Sequence, residues 1–212
     1  MTSRHLPQQS RSRKRFEQIL QAAAAVFAEV GYEAASTEAI AQRANTSIGS
    51  LYRFFPDKSA VLYALAERYA EQMRDLFVTK FNSSTVDRPL AQVVSDTVEA
   101  FDDFFTTVPG AQAIMLRSRV SPELQAVNQR ADREIVAHLE AFFALRQPQM
   151  EPEQRQLAAL VSVEITGALQ LLSLAQTERL RQQIVTETKH ILIRYLQPLF
   201  PDCDPTNEKI GS

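Results

Sequence analysis

The stretch from Ser36 to Lys58, STEAIAQRANTSIGSLYRFFPDK, gathers short hydroxyls, a tyrosine and an arginine at spacings that suit gripping duplex DNA. Ser47, Ser50, Tyr52 and Arg53 fall on the exposed face of a short helix beginning at Ser47, and hydroxyl and guanidinium groups there serve as phosphate and base-edge donors. Gly49 permits close approach to the sugar-phosphate wall, while Leu51 and Phe54 or Phe55 anchor the helix to its neighbours. Arg53 is the residue expected to read sequence. A guanidinium can bond guanine O6 and N7 together, worth about 1–3 kcal/mol of discrimination.

Catalytic chemistry finds less support. Glu187 and His190 stand three apart, and a Glu-x-x-His pair on a helix is half of a ferritin-like di-iron ligand set. The other half is missing: His5 lies in a polar arm, and His138 has Glu134 at four residues rather than three. Cys203 is alone in a Pro- and Asp-rich tail without a neighbouring base, which excludes a disulfide framework and fits a reducing cytoplasm. No Gly-x-Ser-x-Gly elbow or Gly-rich phosphate loop is present. The expectation is a non-enzymatic protein with no metal and no cofactor. An all-α metal-binding enzyme and a helical adaptor without DNA function are the competing readings.

Positioning the Ser36–Lys58 side chains takes helices. Phe16, Ile19, Leu20, Ala23, Phe27 and Val30 recur at helical spacing, predicting a first helix over 11–29 that Gly31 ends in a left-handed conformation. Ser36 or Thr37 caps a second helix through Ala44, and Asn45 supplies a turn residue tolerant of positive φ. The third helix spans Ile48 to Phe54 and stops before Pro56. Asp57 caps a fourth, which carries Val61, Leu62, Leu65, Tyr69, Met73 and Leu76 on one stripe to Lys80. After a polar linker over 82–88, helices are predicted over 89–107, 109–118, 122–146, 152–175 and 178–198, with Pro89, Pro109, Pro122 and Pro152 near their first turns.

Composition agrees. Of 212 residues 45% are apolar, with five glycines and no tryptophan, as suits a helical protein. The net charge of −2 is unevenly spread: residues 1–60 hold eight basic against five acidic side chains, and the remainder is acidic. A basic N-terminal segment suits a polyanion partner, and an acidic remainder stays off the duplex. No signal peptide is visible and no window approaches the roughly eighteen unbroken apolar residues of a membrane span, so a soluble, cytoplasmic protein with no membrane partner is expected.

With the preceding ILQAAAAVFAEVGYEAAS, the segment closely resembles the DNA-binding domain of the tetracycline-repressor (TetR/AcrR) family over residues 13 to about 65. The match runs in order through Gly31-Tyr32, Thr37, Ile40-Ala41, Gly49-Ser50-Leu51-Tyr52, an aromatic pair and Lys58. It departs at Asn45, where the family usually has Gly, and at Phe54, where it often has His; the second loses a possible phosphate contact. The resemblance implies that Thr37 and Lys58 contact phosphate, that Ser47, Gly49, Ser50, Tyr52 and Arg53 sit against the groove, and that Arg13 and Lys14 meet the backbone. It implies an all-α fold of about nine helices: a disordered arm over 1–10, a three-helix DNA-binding domain with its helix-turn-helix over 11–56, a ligand-binding and dimerisation domain over 57–200, and a tail over 201–212.

One such module touches too few base pairs to select a genomic site, so a homodimer should present two recognition helices about 34–36 Å apart to a double-stranded operator. Candidate dimer contacts are Leu157, Leu160, Val161, Ile165, Ala168 and Leu172 on one late helix and Ile184, Ile191, Leu192 and Tyr195 on the other. In the family this helix pair forms an intersubunit four-helix bundle. The resemblance also implies a small-molecule effector among the central helices, where Phe101, Phe104, Phe105, Met115 and Phe142 would supply apolar surface, and Arg117, His138 and Glu164 polar contacts. An effector that fits better when the heads are spread would release DNA, with the fourth helix as the one continuous rod between head and core.

Overall fold

The computed structural model describes the backbone from Leu6 to Asp202 and side chains from Arg11 onward. His5, Cys203 and the remainder of the tail lie outside the described residues. Among those described are nine helices and no strand: α1 (Leu6–Ala34), α2 (Thr37–Arg43), α3 (Ile48–Tyr52), α4 (Lys58–Lys80), α5 (Leu90–Thr107), α6 (Ala111–Arg117), α7 (Pro122–Arg146), α8 (Pro152–Leu174) and α9 (Glu178–Leu196).

Local signals decide most boundaries. Gly31 adopts φ 74° and ψ 168°, a conformation open essentially to glycine, and interrupts α1 as its position predicts. Ser36, not Thr37, caps α2, its hydroxyl accepting from the Ala39 N–H at 3.1 Å. Asn45 turns the chain at φ 49°. Ser47 caps α3 by accepting from the Ser50 N–H at 3.2 Å, and Asp57 accepts from the Ala60 N–H at 2.8 Å to open α4.

Two boundaries differ from expectation. Helix α1 begins at Leu6, so residues 6–10 are helical rather than a disordered arm; Pro7 falls in the first turn, where a missing N–H costs nothing. Helix α3 ends at Tyr52 because the Phe54 and Phe55 N–H groups both turn back to the Leu51 carbonyl, at 2.9 and 3.0 Å.

The chain divides into two compact units. The first comprises residues through Ala70 together with Phe104–Asn128, the second Glu71–Asp103 together with residues from Gln129 onward. A boundary at 56–57 is therefore too early: Val61, Leu62, Leu65 and Ala66 of α4 are buried residues of the first unit. Helices α4, α5 and α7 each contribute turns to both units, so α4 is not the one rod that the sequence suggested.

In the first unit Ile19, Leu20, Phe27, Ile40, Leu51, Val61 and Leu65 are shut off from solvent. Helix α6 rests on α1 through Gly110, at φ 78°, where an added Cβ would stand 2.9 Å from the Ala24 carbonyl oxygen. The Tyr69 hydroxyl donates to the Pro109 carbonyl at 2.6 Å, and burial pushes its pKa up to about 12.

The second unit is built on phenylalanines. Phe77 stacks on Phe81 at 5.5 Å, Phe142 meets the Phe81 ring at 5.1 Å, and Phe143 stacks on Phe200 at 4.1 Å. Helix α8 is long and apolar enough to cross a membrane by length and composition, with mean hydropathy 1.7; here Ala158, Ala159, Ser162 and Val163 turn into the unit's core.

The tail is fastened at its start. Asp202 accepts from the Leu90 N–H at 2.6 Å, from Arg146 at 2.5 Å and from Gln197 at 3.0 Å, while Arg146 also donates to the Val86 and Arg88 carbonyls. Burial opposes the Asp202 carboxylate, but these donors outweigh it and hold its pKa below the ordinary value.

Replacing Asp202 by Ala leaves a guanidinium that is 2% exposed without its anion. A loss of about 2–3 kcal/mol is expected, short of the about 3–5 kcal/mol of a fully buried pair because the Asp202 side chain is partly solvated. Because this pKa is depressed in the fold, the stabilisation is complete above the unfolded value near ~3.9 and is lost as pH falls through the lower folded value. Urea unfolding of both proteins should show a gap at neutral pH that closes on acidification.

Candidate nucleic-acid interface and apolar interior

Burial of Leu51 at 0% exposure fixes which way α3 faces. Ser47, Ile48, Gly49, Tyr52 and Arg53 are left exposed, and Ser50 is half-buried. Phe55 is the buried anchor, its ring 5.0 Å from Phe16, while Phe54 is half-buried at 6.2 Å from the same ring. Nothing lies within 4 Å of a Cβ built on Gly49, so the space it opens faces outward.

Thr37 is half-buried and shares a 3.1 Å hydrogen bond with the Tyr52 hydroxyl, which ties the exposed tyrosine to α2. Arg53 has no partner among the described residues, and the exposed Arg13 and Lys14 on α1 likewise have none. Their charges are uncommitted among the described residues.

Lys58 is placed differently from the expectation. Its ammonium donates to the Tyr32, Glu33 and Ala35 carbonyls at 2.8, 3.2 and 2.8 Å and sits 4.4 Å from the centre of the Tyr32 ring. An ammonium has three hydrogens, so no donor remains for a phosphate in this arrangement. The end of α1 provides the reason: the helix stops at Ala34, leaving the carbonyls of Tyr32, Glu33 and Ala35 past its last helical bonds, and Lys58 satisfies them.

Two residues of this surface were missed. Arg15 donates to the Thr46 hydroxyl at 2.7 Å, fastening α1 to the turn before α3; only its place in a basic run hinted at this. Ile48 is 37% exposed beside the hydroxyls, an apolar side chain one turn from Tyr52. An aliphatic group on a helix predicted to face a groove was the available signal.

The expected effector residues do not form one group. Phe104, Phe105, Met115 and Arg117 belong to the first unit; Phe101, His138, Phe142 and Glu164 belong to the second. Arg117 pairs with Glu33 and lies over the Tyr32 ring at 4.6 Å. The His138 Nε2 is 2.6 Å from the Phe81 carbonyl, a satisfied position on the core. Phe142 is buried in aromatic packing, and Phe101 meets Phe77 edge-on at 5.0 Å. Glu164 is exposed on α8, where it helps burial push Asp132 up to about 6. The second unit does contain an apolar space, of about 30 Å³, lined by other residues, among them Phe77, Phe81, Leu139, Phe143 and Leu192 with Thr97, Ser162 and Thr166.

On the predicted dimer face Leu157, Leu160, Leu172 and Ile191 are 58%, 45%, 45% and 41% exposed, large values for such side chains. Ala168 is exposed, and Val161, Ile165, Ile184 and Tyr195 are half-buried. Leu192 must be removed from this set. It is 4% exposed and faces the interior of its own unit, because Val185, Leu192 and Leu196 form the inward stripe of α9. Glu187 and His190 form an exposed 3.5 Å pair, and no three His, Cys, Asp or Glu among the described residues stand close enough to hold a metal ion.

A short exposed helix braced by a second one, on an all-helical chain, defines a helix-turn-helix regulator. Residues 19–65 match the family model described as bacterial regulatory proteins, tetR family, and residues 89–196 match the tetracyclin repressor-like C-terminal domain. The chain belongs to the TetR family of transcriptional regulators, ligand-responsive proteins that bind DNA operators as dimers. It is 39% identical over 61 residues to the HTH-type transcriptional repressor KstR of Mycolicibacterium smegmatis, a match covering 29% of this chain and 30% of that repressor. It is 28% identical over 172 residues to the HTH-type transcriptional regulator BetI of Yersinia pestis, covering 80% and 85% of the two chains. A TetR-family regulator from Streptomyces coelicolor superposes with a TM-score of 0.63 at 26% identity, covering 87% of this chain and 98% of the other.

Replacing Lys58 by Met is expected to cost about 1–3 kcal/mol of stability. It should leave the slope of log affinity against log salt unchanged, whereas Lys14→Met lowers it by about 1. Operator titrations over a range of salt concentrations check this; equal slope losses in both variants would return Lys58 to phosphate contact.

Proposed function

We propose that this chain is a homodimeric, cytoplasmic repressor that holds a palindromic operator through two copies of α3 and leaves it when a small apolar effector enters the second unit. The observation carrying the DNA part is the outward face of α3, with Leu51 sealed inside and the Arg53 guanidinium uncommitted among the described residues. In this reading Arg13 and Lys14 meet phosphates, and Ser47, Gly49, Ser50 and Tyr52 lie along the groove wall, with Thr37 holding Tyr52 in place. The exposed leucines of α8 and Ile191 of α9 support a second copy as the partner that covers them.

Ile48 extends this assignment. Its aliphatic side chain has no hydrogen-bonding function, and the base-edge feature that rewards such a group is the thymine C5 methyl. Ile48 reads thymine and Arg53 reads guanine within each half-site.

Selection of bound duplexes from a random pool should yield a palindrome with half-sites one helical turn apart, bound with a steep salt dependence. Failure to enrich any sequence would reject operator binding. Affinity for that operator with and without a saturating effector tests release, and an unchanged value would reject it. The Arg53→Ala variant should lose about 1–3 kcal/mol and relax preference at a single position.

Replacing thymines one at a time by deoxyuridine removes only the methyl. One position per half-site should weaken wild-type binding several-fold and leave Ile48→Ala indifferent. Equal sensitivity of both proteins at every position would exclude methyl reading by Ile48.

A further inference from the structure

We infer that the effector is an electrically neutral, mainly apolar molecule that donates a hydrogen bond, of the phenol or alcohol class. This rests on the effector role proposed above for the second unit. The small apolar space there is lined by aromatic and aliphatic side chains together with Thr97, Ser162 and Thr166, and by no charged residue among those described. An ionised guest would lose its hydration without meeting a counter-charge, so carboxylates and ammonium ions are excluded.

The hydroxyls specify more than polarity. Thr97 donates to the Val93 carbonyl, Ser162 to the Ala158 carbonyl and Thr166 to the Ser162 carbonyl, each at 2.7 Å. Every one of these protons is committed to the residue's own helix, four positions back. The oxygens keep their lone pairs, so toward a guest that reaches them they can only accept. A guest bearing O–H or N–H completes such a bond without disturbing the helix. An ether or ketone must first take a proton away from a backbone carbonyl, which sets a preference of about tenfold for the donor.

Size shapes the same inference. A space of about 30 Å³ holds a water-sized guest, so a larger molecule must part the surrounding rings. Phe77 on α4 and Phe81 just past its end, stacked at 5.5 Å, are the rings it would displace. Occupancy is thereby transmitted to α4.

The test uses 4-tert-butylphenol, its methyl ether and 4-tert-butylbenzoate with the full chain, by thermal shift, calorimetry and operator release. The phenol should raise Tm and bind about tenfold more tightly than the ether, and the benzoate should not bind. At least one of Thr97→Val, Ser162→Ala and Thr166→Val should erase the preference while leaving the ether's affinity unchanged. The proposal is overturned if ether or benzoate matches the phenol, if the preference survives in all three variants, or if none of the three compounds binds and the space holds water alone. Should the benzoate alone bind and release DNA, effector control stands and the neutral-donor class falls. Should the phenol bind with the expected discrimination and DNA affinity stay fixed, the site chemistry stands and effector control falls.

Discussion

The first unit depends on how the end of α1 is satisfied. Because α1 stops at Ala34, the carbonyls of Tyr32, Glu33 and Ala35 need donors from elsewhere, and the Lys58 ammonium supplies all three bonds. Because Lys58 is also the first residue of α4, those bonds join the end of one helix to the start of another. The Tyr32 ring lies against both Lys58 and Arg117, and Arg117 reaches Glu33 from the end of α6. The loop leading into α2 is therefore held by groups from α4 and α6, and the bearing of α2 and α3 follows from it.

The second unit meets its constraints with aromatic stacking and a few buried polar groups. Arg181 joins Asp102 and Glu178, and Gln170, 5% exposed, also turns toward Asp102. Arg146 and Asp202 close the other side over Val86, Arg88 and Leu90. Such groups stay inside because each charge faces its opposite.

Much of this was legible in the sequence where the governing physics is local. Gly31 and Asn45 were readable as left-handed residues, Ser47 and Asp57 as caps, and Leu51 as an anchor, because backbone sterics and one hydrogen bond decide each. Long-range partners were not legible. Nothing near Lys58 announces that its donors turn to carbonyls 23–26 residues away. The aromatic run of α5 reads as one surface, yet Phe101 belongs to the second unit and Phe104 and Phe105 to the first, since that choice depends on the helices packed around them. Leu192 shared the apolar spacing of Ile191, and only the direction of α9 against its neighbours separates the inward residue from the outward one.

The stacked Phe77–Phe81 pair also sets a threshold. A nearly filled interior gives a guest no ready-made room, so part of its intrinsic binding strength is spent on opening the rings. Its apparent affinity is diminished by the fraction of molecules already open. The concentration at which such a protein responds is thus written in aromatic packing as much as in contacts with the guest, and loosening that packing would sensitise it without altering one polar group.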